Sequence, residues 1–268
     1  MALPTFLLVG AQKSGTTTLA HDLAAHPEID MEEREVHYFD RFADRDLGWY
    51  AAQFTGEGAK AIGESTPEYL FLPEVAPRIA EALPDVSLLV ILRDPVDRAY
   101  SQYWHNHARG HEVLPFDEAL AAEADRVVGA SATARARWSY AARGMYAEQL
   151  HRLFGHVDRA RVHVLLLDDL VSDRARTLSS VYRFVGVDEY FTPPPVRRNP
   201  YYEFRSQRLR RPIRRLPVPL RRVALRLNQR AAAYPSMAPE TRAALVERFR
   251  APNAALADLL GVALPWPR

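Results

Sequence analysis

Three runs of the chain are almost continuously apolar: 6–10 (Phe-Leu-Leu-Val-Gly), 86–92 (Val-Ser-Leu-Leu-Val-Ile-Leu) and 162–167 (Val-His-Val-Leu-Leu-Leu). A shorter candidate covers 60–63. Unbroken apolar character, rather than alternation, marks strands covered on both faces, as in a parallel sheet. Helical spacing between these runs predicts helices over 16–25, 73–82, 95–107, 116–125, 143–154 and 174–185, with a last one at 239–250. Strands alternating with helices predict βαβ units. The expected fold is therefore α/β: a single domain over 1–268 with a central, mostly parallel sheet flanked by helices. Ligands of such sheets bind beyond the carboxyl ends of the strands. Lys13 follows the first strand there, Glu64 the short one and Arg93 the third.

The first strand runs into Gly10-Ala-Gln-Lys-Ser-Gly-Thr-Thr-Thr18, with a helix predicted to start at Thr16. Backbone N–H groups of such a turn, backed by a helix N-terminus, make a concave anion nest. Its P-loop-like spacing fails the nucleotide-triphosphate register, which needs Gly-x4-Gly-Lys-Ser/Thr. Gly10 and Gly15 are spaced correctly, but Thr16 follows Gly15 and Lys13 lies two residues before it. An ammonium inside the turn meets a different part of the ligand from one at the helix start.

Composition sharpens this reading. The chain has two lysines, Lys13 and Lys60, against 33 arginines. A lysine kept in the anion loop of so arginine-rich a protein suggests a need for a compact ammonium rather than a planar fork. The formal charge of +2 hides an asymmetry: residues 197–230 hold twelve arginines and one acid, Glu203. That segment opens after Pro193-Pro194-Pro195 and reads as a lid within the domain. Within it, Leu220, Val223, Ala224, Leu227 and Ala231 have helical spacing. Cysteine is absent, which excludes disulfides and thiolate metal sites and fits a cytoplasmic protein. The N-terminal run, without a basic segment or a long apolar stretch, carries the expectation of no signal peptide or membrane anchor.

Two further segments carry chemistry. Arg34-Glu-Val-His-Tyr-Phe-Asp40 packs an acid, an imidazole and two aromatics into one turn, so Glu35 or His37 could serve as a general base. The alternative is that Glu35 pairs with an arginine while Tyr38 and Phe39 are core. In Leu92-Arg-Asp-Pro-Val-Asp-Arg-Ala-Tyr-Ser101, Pro95 suits a first helical turn, and Arg93 with Ser101 could hold a second phosphate. His105 and His107, two apart on a helix, point different ways and read as acceptor-side polar residues or as plain surface, with surface preferred. No acid/His group has metal-ligand spacing.

Together these segments resemble the sulfotransferases that use 3′-phosphoadenosine 5′-phosphosulfate (PAPS), especially the bacterial and heparan-sulfate-type branch. The matching motifs are Gln12-Lys-Ser-Gly-Thr-Thr-Thr18, Arg34–Asp40, Gly63-Glu-Ser-Thr-Pro-Glu-Tyr69, Leu92–Pro95 with Arg98–Tyr103, Arg143-Gly-Met-Tyr146, and the closing Leu-Leu-Gly…Trp, in order along nearly the whole chain. The resemblance implies that Lys13, Ser14, Gly15, Thr16 and Thr17 bind the 5′-phosphosulfate, with Lys13 at the bridging oxygen. It implies that Arg93 and Ser101 bind the 3′-phosphate, that Glu35 is the base with His37 as the alternative, and that Arg198 and Asn199 help cover the nucleotide. It further implies PAPS as co-substrate, a hydroxyl (or amine) acceptor and no metal. Ser65 stands where heparan-sulfate enzymes carry lysine, which argues against their acceptor site. The acceptor pocket is expected from 105–142 and the arginine segment.

Two rival readings make different demands. A P-loop nucleotide kinase needs a lysine at position 16, which Thr16 contradicts, and a strand-end acid, which Asp168 after Leu167 could imitate. A non-enzymatic anion- or membrane-binding protein would use 197–230. Because the rest of the chain is net acidic, that segment is expected to serve weak membrane-surface or anionic-substrate contact rather than dedicated nucleic-acid binding.

Overall fold

Leu7 and Val9 of the first strand face one side of a sheet, Phe6 and Leu8 the other, and all four are buried. This double burial is what an unbroken apolar run requires. The structure is a computed structural model describing residues 2–32, 34–194 and 234–267, with short stretches between 201 and 232. Strands β1 (Phe6–Gly10), β2 (Ile29–Glu32), β3 (Ala61–Ser65), β4 (Ser87–Leu92) and β5 (Val162–Leu166) form one sheet ordered β2-β3-β1-β4-β5. All neighbouring pairs are parallel. The strand order reverses between β1 and β4, which creates the crevice where such folds bind ligands.

Helices α1 (Thr16–Ala24) and α11 (Arg174–Val185) pack Leu19, Leu23, Leu178 and Val181 on one face. The opposite face is covered by α4 (Val75–Ala82), α9 (Tyr146–Phe154) and α12 (Pro239–Leu260) through Ile79, Leu150, Leu153 and Leu256. Helix α5 (Pro95–Arg109) leaves β4 with Asp94 capping the Val96 N–H at 2.8 Å. Shorter helices α2 (Tyr38–Arg41), α3 (Leu47–Ala51), α6 (Phe116–Ala121), α7 (Glu123–Val127), α8 (Ala132–Trp138) and α10 (Leu167–Ser172) complete the connections.

Several boundaries differ from expectation. The 116–125 segment is two short helices, α6 and α7, meeting at Ala122, and α12 runs ten residues past 250 with Pro252 inside it. Burial of Leu256 beyond the proline outweighs the backbone hydrogen bond that the ring removes. Glu64 lies within β3 rather than after it. Strands β6 (Tyr201–Phe204) and β7 (Gln229–Ala232) pair antiparallel, so 229–232 is strand where apolar spacing predicts helix. Cross-strand pairing overrides local periodicity there. Arg198, Asn199 and most of the 197–230 segment lie outside the described residues.

Gly63 shows how tightly the sheet faces are filled. It is the register partner of Phe6, and a Cβ added to it would lie 2.2 Å from the Phe6 ring, which is fully buried and has nowhere to move. Gly63→Ala is expected to cost about 1–3 kcal/mol by overpacking, measured as a lower Tm with the circular dichroism of the native sheet retained.

Candidate functional site

The loop after β1 is fixed from both sides. The Ala11 N–H donates to Ile91 O of β4 at 2.8 Å, and the Ser14 N–H turns back to Ala11 O at 3.2 Å. Lys13 takes φ 70°, a left-handed conformation rare outside glycine. Gly15 follows with φ 94° as the residue before α1, where a Cβ would meet Leu167 at 2.7 Å. The loop therefore turns the Lys13 side chain into the crevice. Its ammonium is half-buried, and burial is the largest cause that lowers its pKa to about 8; Arg109, Arg93 and Arg98 add to this and Glu35 opposes it. Ser14 and Thr16 are buried, and Thr17 is exposed at the helix start.

The Glu35–His37 turn hangs on Glu64. That carboxylate, fully buried in β3, accepts from Tyr50 (2.7 Å), Tyr69 (3.0 Å), Thr66 (2.8 Å) and the Val36 N–H (3.3 Å). Burial raises its pKa and the four donors pull it back. The Thr66 hydroxyl also accepts the His37 N–H at 3.3 Å. His37 is held at φ 57°, with Nε2 3.1 Å from Glu35 and Nδ1 3.0 Å from Asp40. Burial alone would lower the His37 pKa, but the hydrogen bonds to Asp40 and Glu35 outweigh it and hold the ring at about 9. Both ring nitrogens therefore donate at neutral pH. The Glu35 carboxyl is held below its usual range, chiefly by His37, and its side chain is 53% exposed.

Beyond β4, the Arg93 guanidinium reaches the Lys13 carbonyl at 3.4 Å and Asp97 at 3.9 Å. Ser101 is buried two turns along α5, with its hydroxyl 3.2 Å from that of Tyr234. The Tyr146 hydroxyl donates to Arg93 O at 2.9 Å, which ties the Arg143–Tyr146 motif to the same strand end.

His105 faces the crevice and is not plain surface, the preferred of its two sequence readings. Its Nδ1 lies 3.5 Å from Lys13 Nζ, where the ammonium donates and the ring accepts. Burial, then Lys13 and Arg109, push its pKa down to about 3. His107 points elsewhere, stacking on Tyr103. No sequence signal places His105 here, because its partner lies 92 residues away. Asp168, the acid that the kinase reading requires, accepts from the Trp266 indole at 3.1 Å and helps pack the C-terminal segment onto the body.

One cavity borders Glu35 and a second borders Glu68. The first is lined by Thr16, Thr17, Ala20, Met31, Glu35 and Ser65 among others. The second and larger lies among Gln12, Arg41, Glu68, His105, Arg109 and Arg137. The fold also gathers one ligand-type atom each of Glu35, His37 and Glu68 within 4.8 Å, a grouping that sequence spacing did not reveal.

A family model described as "Sulfotransferase family" matches residues 47–193, more than half of the chain. The chain belongs to the sulfotransferase family. It is 32% identical over 192 residues to the human heparan sulfate glucosamine 3-O-sulfotransferase 3B1, covering 71% of this chain and 48% of that one. It is 41% identical over 108 residues to the membrane-associated sulfotransferase kil1 of Dictyostelium discoideum, covering 38% of this chain and 23% of that one. The chain thus spans about half or less of the length of these curated relatives. A crystal structure of a sulfotransferase from Alicyclobacillus acidocaldarius superposes with a TM-score of 0.77 at 28% identity, covering 98% of both chains. No helix among the described residues is long and apolar enough to cross a membrane.

Proposed function

We propose that the protein transfers a sulfuryl group from PAPS to a hydroxyl (or amine) of its acceptor by in-line displacement. One observation carries the reading. A partly desolvated ammonium, Lys13, sits in an anion-type loop within electrostatic reach of a carboxylate, Glu35, that a charged imidazole holds in position. Sulfuryl transfer, like phosphoryl transfer, asks the protein mainly for alignment and charge stabilisation.

In this scheme the acceptor oxygen attacks sulfur as the bond from sulfur to the phosphate oxygen breaks. PAP leaves with the electron pair, and Glu35 takes the acceptor proton. Lys13 with the Thr16 and Thr17 donors stabilises the charge developing on the leaving oxygen. Glu35 suits the base role better than His37, whose two nitrogens already carry protons directed at carboxylates. The arginines of the larger cavity favour an acidic acceptor. The engagement of Asp168 by Trp266 counts against the kinase reading. The compartment we propose is the cytoplasm, on the cysteine-free composition.

Incubation with PAPS and candidate acceptors, read by mass spectrometry, is expected to yield PAP and an acceptor heavier by one SO3. Turnover of ATP with magnesium in place of PAPS would overturn the proposal. Arg93 and Ser101 are proposed to hold the 3′-phosphate. Arg93→Ala should then weaken PAP about 10- to 100-fold, the scale of a charged hydrogen bond, and leave 5′-AMP nearly unchanged in calorimetry. Equal loss for both nucleotides would refute that role.

A further inference from the structure

Glu68 is a buried charge that the scheme above does not use. Its side chain lies in the turn after β3, which Thr66 N–H to Leu8 O (3.2 Å) and Leu70 N–H to Val9 O (2.9 Å) fasten to the end of β1. Gln12 donates to its Oε1 at 2.9 Å and is itself held by Arg143 at 3.0 Å. Glu68 is 6% exposed, and its Oε2 is buried without a hydrogen-bond partner among the described residues. An unpaired buried carboxylate oxygen is costly, so a partner is expected in the working complex.

The surroundings narrow what that partner is. Glu68 lines the larger cavity with Arg41, His105 and Arg109, and one of its oxygens lies within 4.8 Å of a Glu35 oxygen and of a His37 nitrogen. A divalent cation would face Lys13, Arg41 and Arg109 and would have to displace protons from His37, which Asp40 and Glu35 hold in place. A neutral O–H or N–H donor meets no such penalty. Two carboxylates this close, each accepting a donor at about 2.7–2.9 Å, match donors on adjacent carbons. One would react at Glu35 while its neighbour is held at Glu68.

We propose that Glu68 is a specificity-determining acceptor contact, whose Oε2 accepts a hydrogen bond from a hydroxyl or amine on the carbon next to the one sulfated. The acceptors are then vicinal diols or amino alcohols, and Glu68 fixes which hydroxyl attacks. The inference rests on the sulfotransferase reading.

The test uses the full chain with PAPS and matched probes: 3,4-dihydroxybenzoate against its two monohydroxy analogues, and methyl glucuronide against its monodeoxy analogues. Wild-type protein should favour the diols by about tenfold or more in kcat/KM. Glu68→Gln should lose about 10- to 100-fold on diols, the scale of a charged hydrogen bond, while the single-hydroxyl probes change less than about threefold. A merely structural role, as charge partner of Arg143, would lower both probe sets together and leave the ratio unchanged. The wild-type ratio stands as a test even if the variant folds poorly. Equal use of both probe sets, no turnover of any diol, or an unchanged ratio in Glu68→Gln would overturn the inference. So would tight Zn²⁺ binding by wild type that Glu68→Gln abolishes. PAP titration of the same preparation separates the two failures: without PAP binding the sulfotransferase reading falls, whereas PAP binding with indifferent probes removes Glu68 alone.

Discussion

Lys13→Ala is expected to lower kcat about 100- to 1,000-fold, the scale of losing one preorganised donor to a developing oxyanion. The argument starts from the backbone. A non-glycine residue at φ 70° persists only where the loop over-determines it, and Gly15 with the Ala11–Ile91 hydrogen bond supplies that constraint. The side chain is delivered into a crevice where burial and three arginines already disfavour its charge. An anionic leaving group relieves that penalty, so the interaction strengthens as charge builds. Lys13→Arg is not expected to restore turnover, because a planar fork cannot occupy the space of an ammonium lying 3.5 Å from the His105 ring. Single-turnover kinetics with saturating PAPS check both variants.

Glu35→Gln is expected to cost about 100- to 10,000-fold, the range of a positioned general base, with PAP affinity kept. The amide preserves shape and a hydrogen bond to His37 but cannot take a proton. The low pKa that His37 imposes on Glu35 makes it a weak base, yet one ionised throughout the neutral range. With saturating PAPS, whose anion raises the Lys13 value, wild-type activity should fall as pH rises through about 9, where the imidazolium loses the proton that holds the Glu35 carboxylate. The same proton contributes stability that is complete below 6.5 and fades through about 9. Normal turnover in the glutamine variant would move the base role away from Glu35.

How much of this was legible in the sequence follows from physical range. Strands β1, β4 and β5 announce themselves because a strand buried on both faces must be apolar at every position. Strand β2 escapes notice: Ile-Asp-Met-Glu alternates over four residues, and its Asp30 is spent capping Thr55 and Gly56. Helices of four to seven residues, such as α2 and α8, are too short to display a period. Lys13, Glu35 and Arg93 could be singled out as candidates because local chain chemistry marks them: a glycine-flanked turn, an acid–imidazole pair and a strand end. His105, Glu64 and Glu68 are not legible in this way, since each derives its role from groups brought to it by the sheet order. The two rings on Glu64, for example, come from α3 and from the turn after β3. Neighbouring positions alone could not separate a buried pillar from a site residue.

The central claim is that Lys13 meets the anion of the bound nucleotide, and calorimetric titration with PAP tests it most directly. With the free ammonium titrating at about 8, an anionic ligand should raise that value, so binding near pH 9 should take up a proton. Heats measured in buffers of different ionisation enthalpy are predicted to reveal that uptake in wild type, and Lys13→Ala is predicted to lack it. Failure of PAP to bind, or identical proton uptake in the two proteins, would contradict the account.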